Sequence, residues 1–166
     1  MSDKLKYLGY SIVFQEVPDE VTLAINISGC PHKCEGCHSK YLWGYDGHYV
    51  MDDLSDLIKQ YTGLITCVCF MGGDQNLEEL PLLALMVNKY NLKSALYTGV
   101  SDVSREQKIV HAMFDYVKIG PYIEEFGGLD KPTTNQRMYR QINKPSGVWE
   151  DITYRFWKEE KTSGNN

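Results

Sequence analysis

The stretch Val21-Thr22-Leu23-Ala24-Ile25-Asn26-Ile27-Ser28-Gly29-Cys30-Pro31-His32-Lys33-Cys34-Glu35-Gly36-Cys37-His38 decides the reading of this chain. Val21 to Ser28 is rich in β-branched and apolar residues and reads as a strand. Cys30, Cys34 and Cys37 follow at once, so the loop leaving a strand presents three thiols to one region. Thiolates are the soft ligands that iron–sulfur clusters select. A four-iron cluster on three cysteines leaves one iron without a protein ligand, open to a small chelating molecule. Open coordination separates reactive from structural metal sites. Two other readings of the triplet stand beside it. Zinc would want a fourth ligand, which His32 or His38 offers. A disulfide with one spare thiol is the other, and it needs an oxidising compartment.

Downstream of the cysteines, strand and helix patterns alternate. Met51 to Gly63 has a helical apolar face of Leu54, Leu57, Ile58 and Tyr61, with Asp52 or Asp53 to cap it. Leu64 to Phe70 reads as a short buried strand. A helix is expected between Gln75 and Tyr90, its main part starting near Pro81, because proline suits a first turn and no later one. Leu92 to Tyr97 is the next strand, and Ser101 or Asp102 caps a helix running to about Phe114. Tyr116 to Ile119 is a strand closed by Gly120-Pro121, and Met138–Ile142 and Gly147–Trp149 add short edge strands. Repeated β-α units imply parallel strands with right-handed crossovers. Their sites gather at the C-terminal strand ends.

Those ends carry chemistry. One holds the cysteines, the next Met71-Gly72-Gly73-Asp74, the next Tyr97-Thr98-Gly99, the next Lys118-Ile119-Gly120-Pro121. Gly72 and Gly73 let backbone approach a ligand closely. Asp74 accepts a hydrogen bond from an ammonium group, or simply caps a helix. Thr98 offers a hydroxyl. Lys118, in an apolar strand, needs a partner if buried. Cys67 and Cys69 share one strand face and read as core. Beyond Tyr122, a glycine-rich loop leads to Asn135-Gln136-Arg137, where Arg137 supplies a planar fork for a carboxylate or carbonyl.

The cysteine spacing, at a strand end near the start of the chain, resembles the signature of the radical S-adenosylmethionine enzymes. Gly72-Gly73-Asp74 is similar to that family's Gly-Gly-Glu motif, in the shorter-carboxylate form of the activators of anaerobic ribonucleotide reductase. The Asn135-Gln136-Arg137 run resembles theirs too, with Thr133-Thr134 in place of the usual Gly-Ser-Ser. The likeness covers about Leu8 to Asn143. It implies an α/β fold, an incomplete, open (β/α) barrel with a mostly parallel sheet, in a single domain over residues 1–157 with a polar tail over 158–166. It implies a [4Fe-4S] cluster on Cys30, Cys34 and Cys37. S-adenosyl-L-methionine is then expected among Gly36, Cys37, His38, Gly72, Gly73, Asp74, Thr98, Lys118 and Arg137. The aromatic that many members place before the third cysteine is Gly36 here, so His38 or Tyr41 would have to stack on adenine. Members of this kind pass one electron to the sulfonium, break its S–C5′ bond, and use the 5′-deoxyadenosyl radical to take a hydrogen atom from a glycine of a partner enzyme. No side chain acts as acid or base. The expected partners are a glycyl radical enzyme, anaerobic ribonucleotide reductase first, and a one-electron donor such as a flavodoxin. An activase of another glycyl radical enzyme such as pyruvate formate-lyase, or a non-catalytic metal-binding module, are the rivals. One departure is local: Glu16-Val17-Pro18-Asp19-Glu20 stands where the family often has Asp-Gly-Pro-Gly and a basic residue.

Composition bounds the setting. At 166 residues the chain suits one domain with a real core. A net charge of −5 and no basic stripe argue against nucleic acid. No run is long and apolar enough for a membrane span. Residues 1–6 lack a signal peptide's apolar stretch, so a cytoplasmic, reducing setting is expected.

Overall fold

The computed structural model describes residues 3–157. The polar tail expected over 158–166 lies outside the described residues. One eight-stranded sheet organises the chain, in the order β3-β1-β2-β4-β5-β6-β7-β8. Its strands are β1 (Lys6–Val13), β2 (Thr22–Ile27), β3 (His48–Tyr49), β4 (Cys67–Met71), β5 (Lys93–Tyr97), β6 (Tyr116–Ile119), β7 (Arg137–Ile142) and β8 (Val148–Asp151). The central pairings β2–β4, β4–β5 and β5–β6 are parallel. The four flanking ones are antiparallel. A mostly parallel sheet was the expectation, and only the centre meets it. The reason lies in the connections. Parallel neighbours need a long crossover. Helices α1 (Val50–Gln60), α2 (Glu79–Lys89) and α3 (Arg105–His111) lie in the crossovers of the centre. β7 and β8 are joined by a short turn, with Gly147 at φ +71°, which only an antiparallel pair allows.

The helices follow their local chemistry. α1 begins one residue before Met51 and keeps Asp52 and Asp53 inside its first turn, not as caps. There they face the positive end of the helix dipole. Pro81 sits in the first turn of α2, as its missing N–H requires. α3 is capped by Ser104, not Ser101 or Asp102, through a reciprocal capping box with Gln107. β1 has no counterpart in the sequence reading. Gly9, at φ +83°, interrupts its alternation, and the register shifts between Tyr7 and Tyr10.

The helices bury one face of the sheet. Leu23, Ile25, Ile27, Val68, Phe70, Leu96 and Val117 meet Leu54, Ile58, Leu80, Leu83 and Val87 there. On the opposite face Cys67, Cys69, Ala95, Tyr116 and Met138 pack with Val17 and Ile152. Val17 comes from the Glu16–Glu20 segment. That segment is tied down at Glu16, whose carbonyl accepts from the Tyr97 hydroxyl, and at Asp19, which takes a two-pronged contact from Arg155 at 2.7 and 3.1 Å. No helix among the described residues is long and apolar enough to cross a membrane.

Candidate iron–sulfur site

β2, β4, β5 and β6 run parallel, so their C-terminal ends share one edge of the sheet. A cavity of about 210 Å³ opens there. Cys30, Cys34 and Cys37 line it together with Gly72, Gly73, Asp74, Thr98 and Lys118. A larger recess, about 350 Å³, lies on the helix side between α3 and β6–β8, and it contains no cysteine.

The cysteine loop is built by its backbone. Gly29, at φ +73°, turns the chain off β2, and the Gly29 and Cys30 amides donate to the Gly44 and Leu42 carbonyls at 2.8 and 3.0 Å. The Cys37 amide donates to the Cys34 carbonyl at 3.2 Å, and the Ser39 amide donates to Cys37 Sγ at 3.3 Å. All five cysteines are free thiols, so the disulfide reading falls. Among the described residues no three His, Cys, Asp or Glu side chains come close enough to share one metal ion. His32, a possible zinc ligand in the sequence, instead reaches Asp74. The three thiols line one cavity, and their softness and partial exposure fit an iron–sulfur cluster.

Asp74 is the hub of the opposite wall. Its side chain is only 8 % exposed. The Thr98 hydroxyl lies 2.6 Å from both carboxylate oxygens, the Gly99 amide donates at 3.3 Å, and His32 Nε2 sits 2.6 Å from Oδ2. It caps no helix, since α2 starts at Glu79. Nor is this trio a nucleophilic relay, which needs the histidine in the middle; here the carboxylate is.

Lys118 is buried, at 8 % exposure, beneath this wall. Its Nζ donates to the Thr98 and Gly120 carbonyls at 3.1 and 3.0 Å and lies 5.5 Å from the Tyr97 ring centre. Burial pulls its pKa down to about 8, against the opposing pull of Asp74, Cys34, Cys69 and Cys30. Anionic groups in the cavity would therefore hold its charge.

Three expected residues do not join the cavity. Arg137 pairs with Ile119 across β6 and β7, which puts it on the face opposite Lys118, and its Nη1 lies 3.8 Å from Asp151. A residue's side of the sheet is set by register, and a step of one reverses it; Gln136, its neighbour, lines the cavity. Gly36 packs against Glu124, which a Cβ there would meet at 3.2 Å. His38 lies 5.8 Å from the Tyr122 ring, which does line the cavity, and Tyr41 is 58 % exposed. Cys67 and Cys69 are core, as expected, and burial pushes both thiols up.

Asn26 and Trp43 also line the cavity. Asn26 carried a signal in the sequence, a polar residue inside an apolar strand next to the cysteines. Trp43 carried none. Its buried indole N–H has no partner among the described residues.

Residues 20–137 match the family model described as a 4Fe-4S single cluster domain, which spans most of the chain and every residue of the cysteine loop. No curated protein and no solved structure matches it. The chain belongs to the 4Fe-4S single cluster domain family: it is an iron–sulfur protein, and the donor set supplied by Cys30, Cys34 and Cys37 agrees with that chemistry.

Proposed function

We propose that this protein is a radical S-adenosylmethionine activase that generates a glycyl radical on a partner enzyme, anaerobic ribonucleotide reductase first among the candidates. One observation carries the reading. Three thiols that can hold only three irons of a four-iron cluster face a carboxylate, a hydroxyl and a lysine across a single cavity. When bound, the cluster and S-adenosylmethionine supply one-electron cleavage of the sulfonium and abstraction of a hydrogen atom.

The chain's residues bind and orient. Cys30, Cys34 and Cys37 hold the cluster. Asp74, fixed by Thr98 and Gly99, accepts the ligand's ammonium, and Lys118 offsets its carboxylate. Gly72 and Gly73, at φ +115° and +122°, bring backbone to the cavity, and a Cβ there would meet Ile27 at 3.3 Å and Leu80 at 2.8 Å in the core behind it. The sheet, with edges at β3 and β8, is read as an incomplete, open barrel that admits a protein loop. A one-electron donor such as a flavodoxin completes the system.

The test is anaerobic reconstitution with iron and sulfide, reduction, addition of S-adenosylmethionine and assay for 5′-deoxyadenosine. Product from the wild type and none from Cys34→Ala supports the reading. A cluster-loaded protein that neither binds S-adenosylmethionine nor forms product, with or without the reductase, sinks it and leaves a non-catalytic cluster module.

A further inference from the structure

Between the first two cysteines stands a residue whose contact no cluster ligand requires. His32 Nε2 lies 2.6 Å from Asp74 Oδ2. An ionised carboxylate only accepts, so the imidazole donates. Among the described residues this is the one side-chain hydrogen bond that segment 30–37 makes to another strand end. The other bonds of segment 30–37 stay within residues 30–42, and the Gln75 side-chain amide, which donates to the Ser28 carbonyl at 2.8 Å, fixes the base of the loop and not the part that carries the thiols. The neighbourhood is fitted to the ring. A Cβ on Gly99 would meet His32 Cδ2 at 2.7 Å, closer than real side chains approach. Gly99 also donates its amide to Asp74. Thr98, Gly99 and His32 together hold the short carboxylate from two strand ends, and its four lone-pair directions leave room for one more donor.

We propose that His32 is a positioning residue that ties the thiol loop to Asp74 and so sets the cluster subsite and the ammonium subsite in register. The first half needs only the cluster; the second rests on the S-adenosylmethionine reading. Free of this tie, the loop would hold its thiols in several arrangements, and Asp74 would lose the donor that fixes Oδ2. The two subsites are therefore coupled through one contact, and damage on either side should be felt on the other.

The experiment is a double-mutant cycle on the cluster-loaded protein, with the rate of iron loss to bathophenanthroline disulfonate as readout. His32→Ala and Asp74→Ala should each speed iron loss about fivefold, and the double variant no more than either alone, as contacting residues do. His32→Gln, which keeps an N–H at similar reach, should recover most of the loss. Gly99→Ala, which leaves both partners in place but crowds the ring, should behave like His32→Ala. Rates that multiply in the double variant, or a Gly99→Ala protein that keeps iron like the wild type, overturn the tie. If His32→Ala takes up no cluster, His32→Gln decides: failure there beside a normal Asp74→Ala also overturns it. For the second half, dissociation constants are measured for S-adenosylmethionine and for an analogue lacking only the amino group. His32→Ala should lose about fivefold on the first and nothing on the second; equal losses overturn the coupling. If the wild type binds neither ligand, the activase reading fails, while the iron-loss cycle still decides the tie.

Discussion

The two faces of the central sheet are made by the same strands and do opposite work. On β4, Val68 and Phe70 point toward the helices and are wholly buried, while Cys67, Cys69 and Met71 point the other way. On β2, Leu23, Ile25 and Ile27 alternate with Thr22, Ala24 and Asn26. The helix face is bulky and aliphatic, and burial of that area is the main favourable term in folding. The other face carries cysteine, alanine, methionine and tyrosine, and toward the strand ends its Asn26, Met71, Tyr97 and Lys118 line the cavity. Stability and chemistry are separated by the pleat, not by distance along the chain.

Substitutions can break or sharpen that division. The largest effect is expected on the site side: Cys34→Ala should abolish the bound cluster, read as loss of iron, of acid-labile sulfide and of the visible absorption, with secondary structure retained. On the helix face, Phe70→Ala empties a fully buried site against Phe114 and should cost about 3–5 kcal/mol in chemical denaturation. Below its lowered melting temperature that variant should still take up iron in full; a loss of cluster affinity matching that of Cys34→Ala would show that the faces are not independent.

Lys118 probes the boundary between them. Its folded pKa, about 8, is below the value of 10.5 expected when unfolded, so the unfolded chain binds more protons between the two. Its contribution therefore becomes more favourable as pH rises from about 8 to 10.5 and is constant below that window. Lys118→Met should remove this dependence, a difference of the order of 3 kcal/mol across the window in the cluster-free protein. The comparison with the variant is essential, because burial also raises Tyr97, whose ionisation erodes stability in the alkaline range. The smallest effect is expected at Arg137. Its side chain is 41 % exposed beside Asp151, so Arg137→Ala should change stability by less than about 0.5 kcal/mol. Ligand affinity should stay unchanged, and a loss there would put Arg137 back in the site.

Much of the fold was legible because its signals are local. The strands at Thr22, Cys67, Lys93 and Tyr116 and the three helices follow from apolar periodicity, proline placement and capping residues. Their ends moved by a few residues where caps compete: Ser104 with Gln107 outdoes Ser101 and Asp102 because both members of the box bond back. β1 was not legible, since Gly9 and the bulge disturb its alternation. Arg137 was misjudged for a different reason. The Asn135-Gln136-Arg137 run places three polar residues at a strand start, but only register says which of them faces Lys118.

The sequence by itself determined the chemistry: three thiols at a spacing that one short loop can turn toward a common ligand, and glycines and polar residues at successive strand ends. Tertiary structure alone decided what that chemistry is joined to. It brought His32 to Asp74, buried Lys118 beneath Thr98, and turned Arg137 to the far face. The physical reason is that spacing and propensity act over a few residues. Contacts across 42 or 20 positions are fixed by the pairing and register of strands, which no short segment encodes.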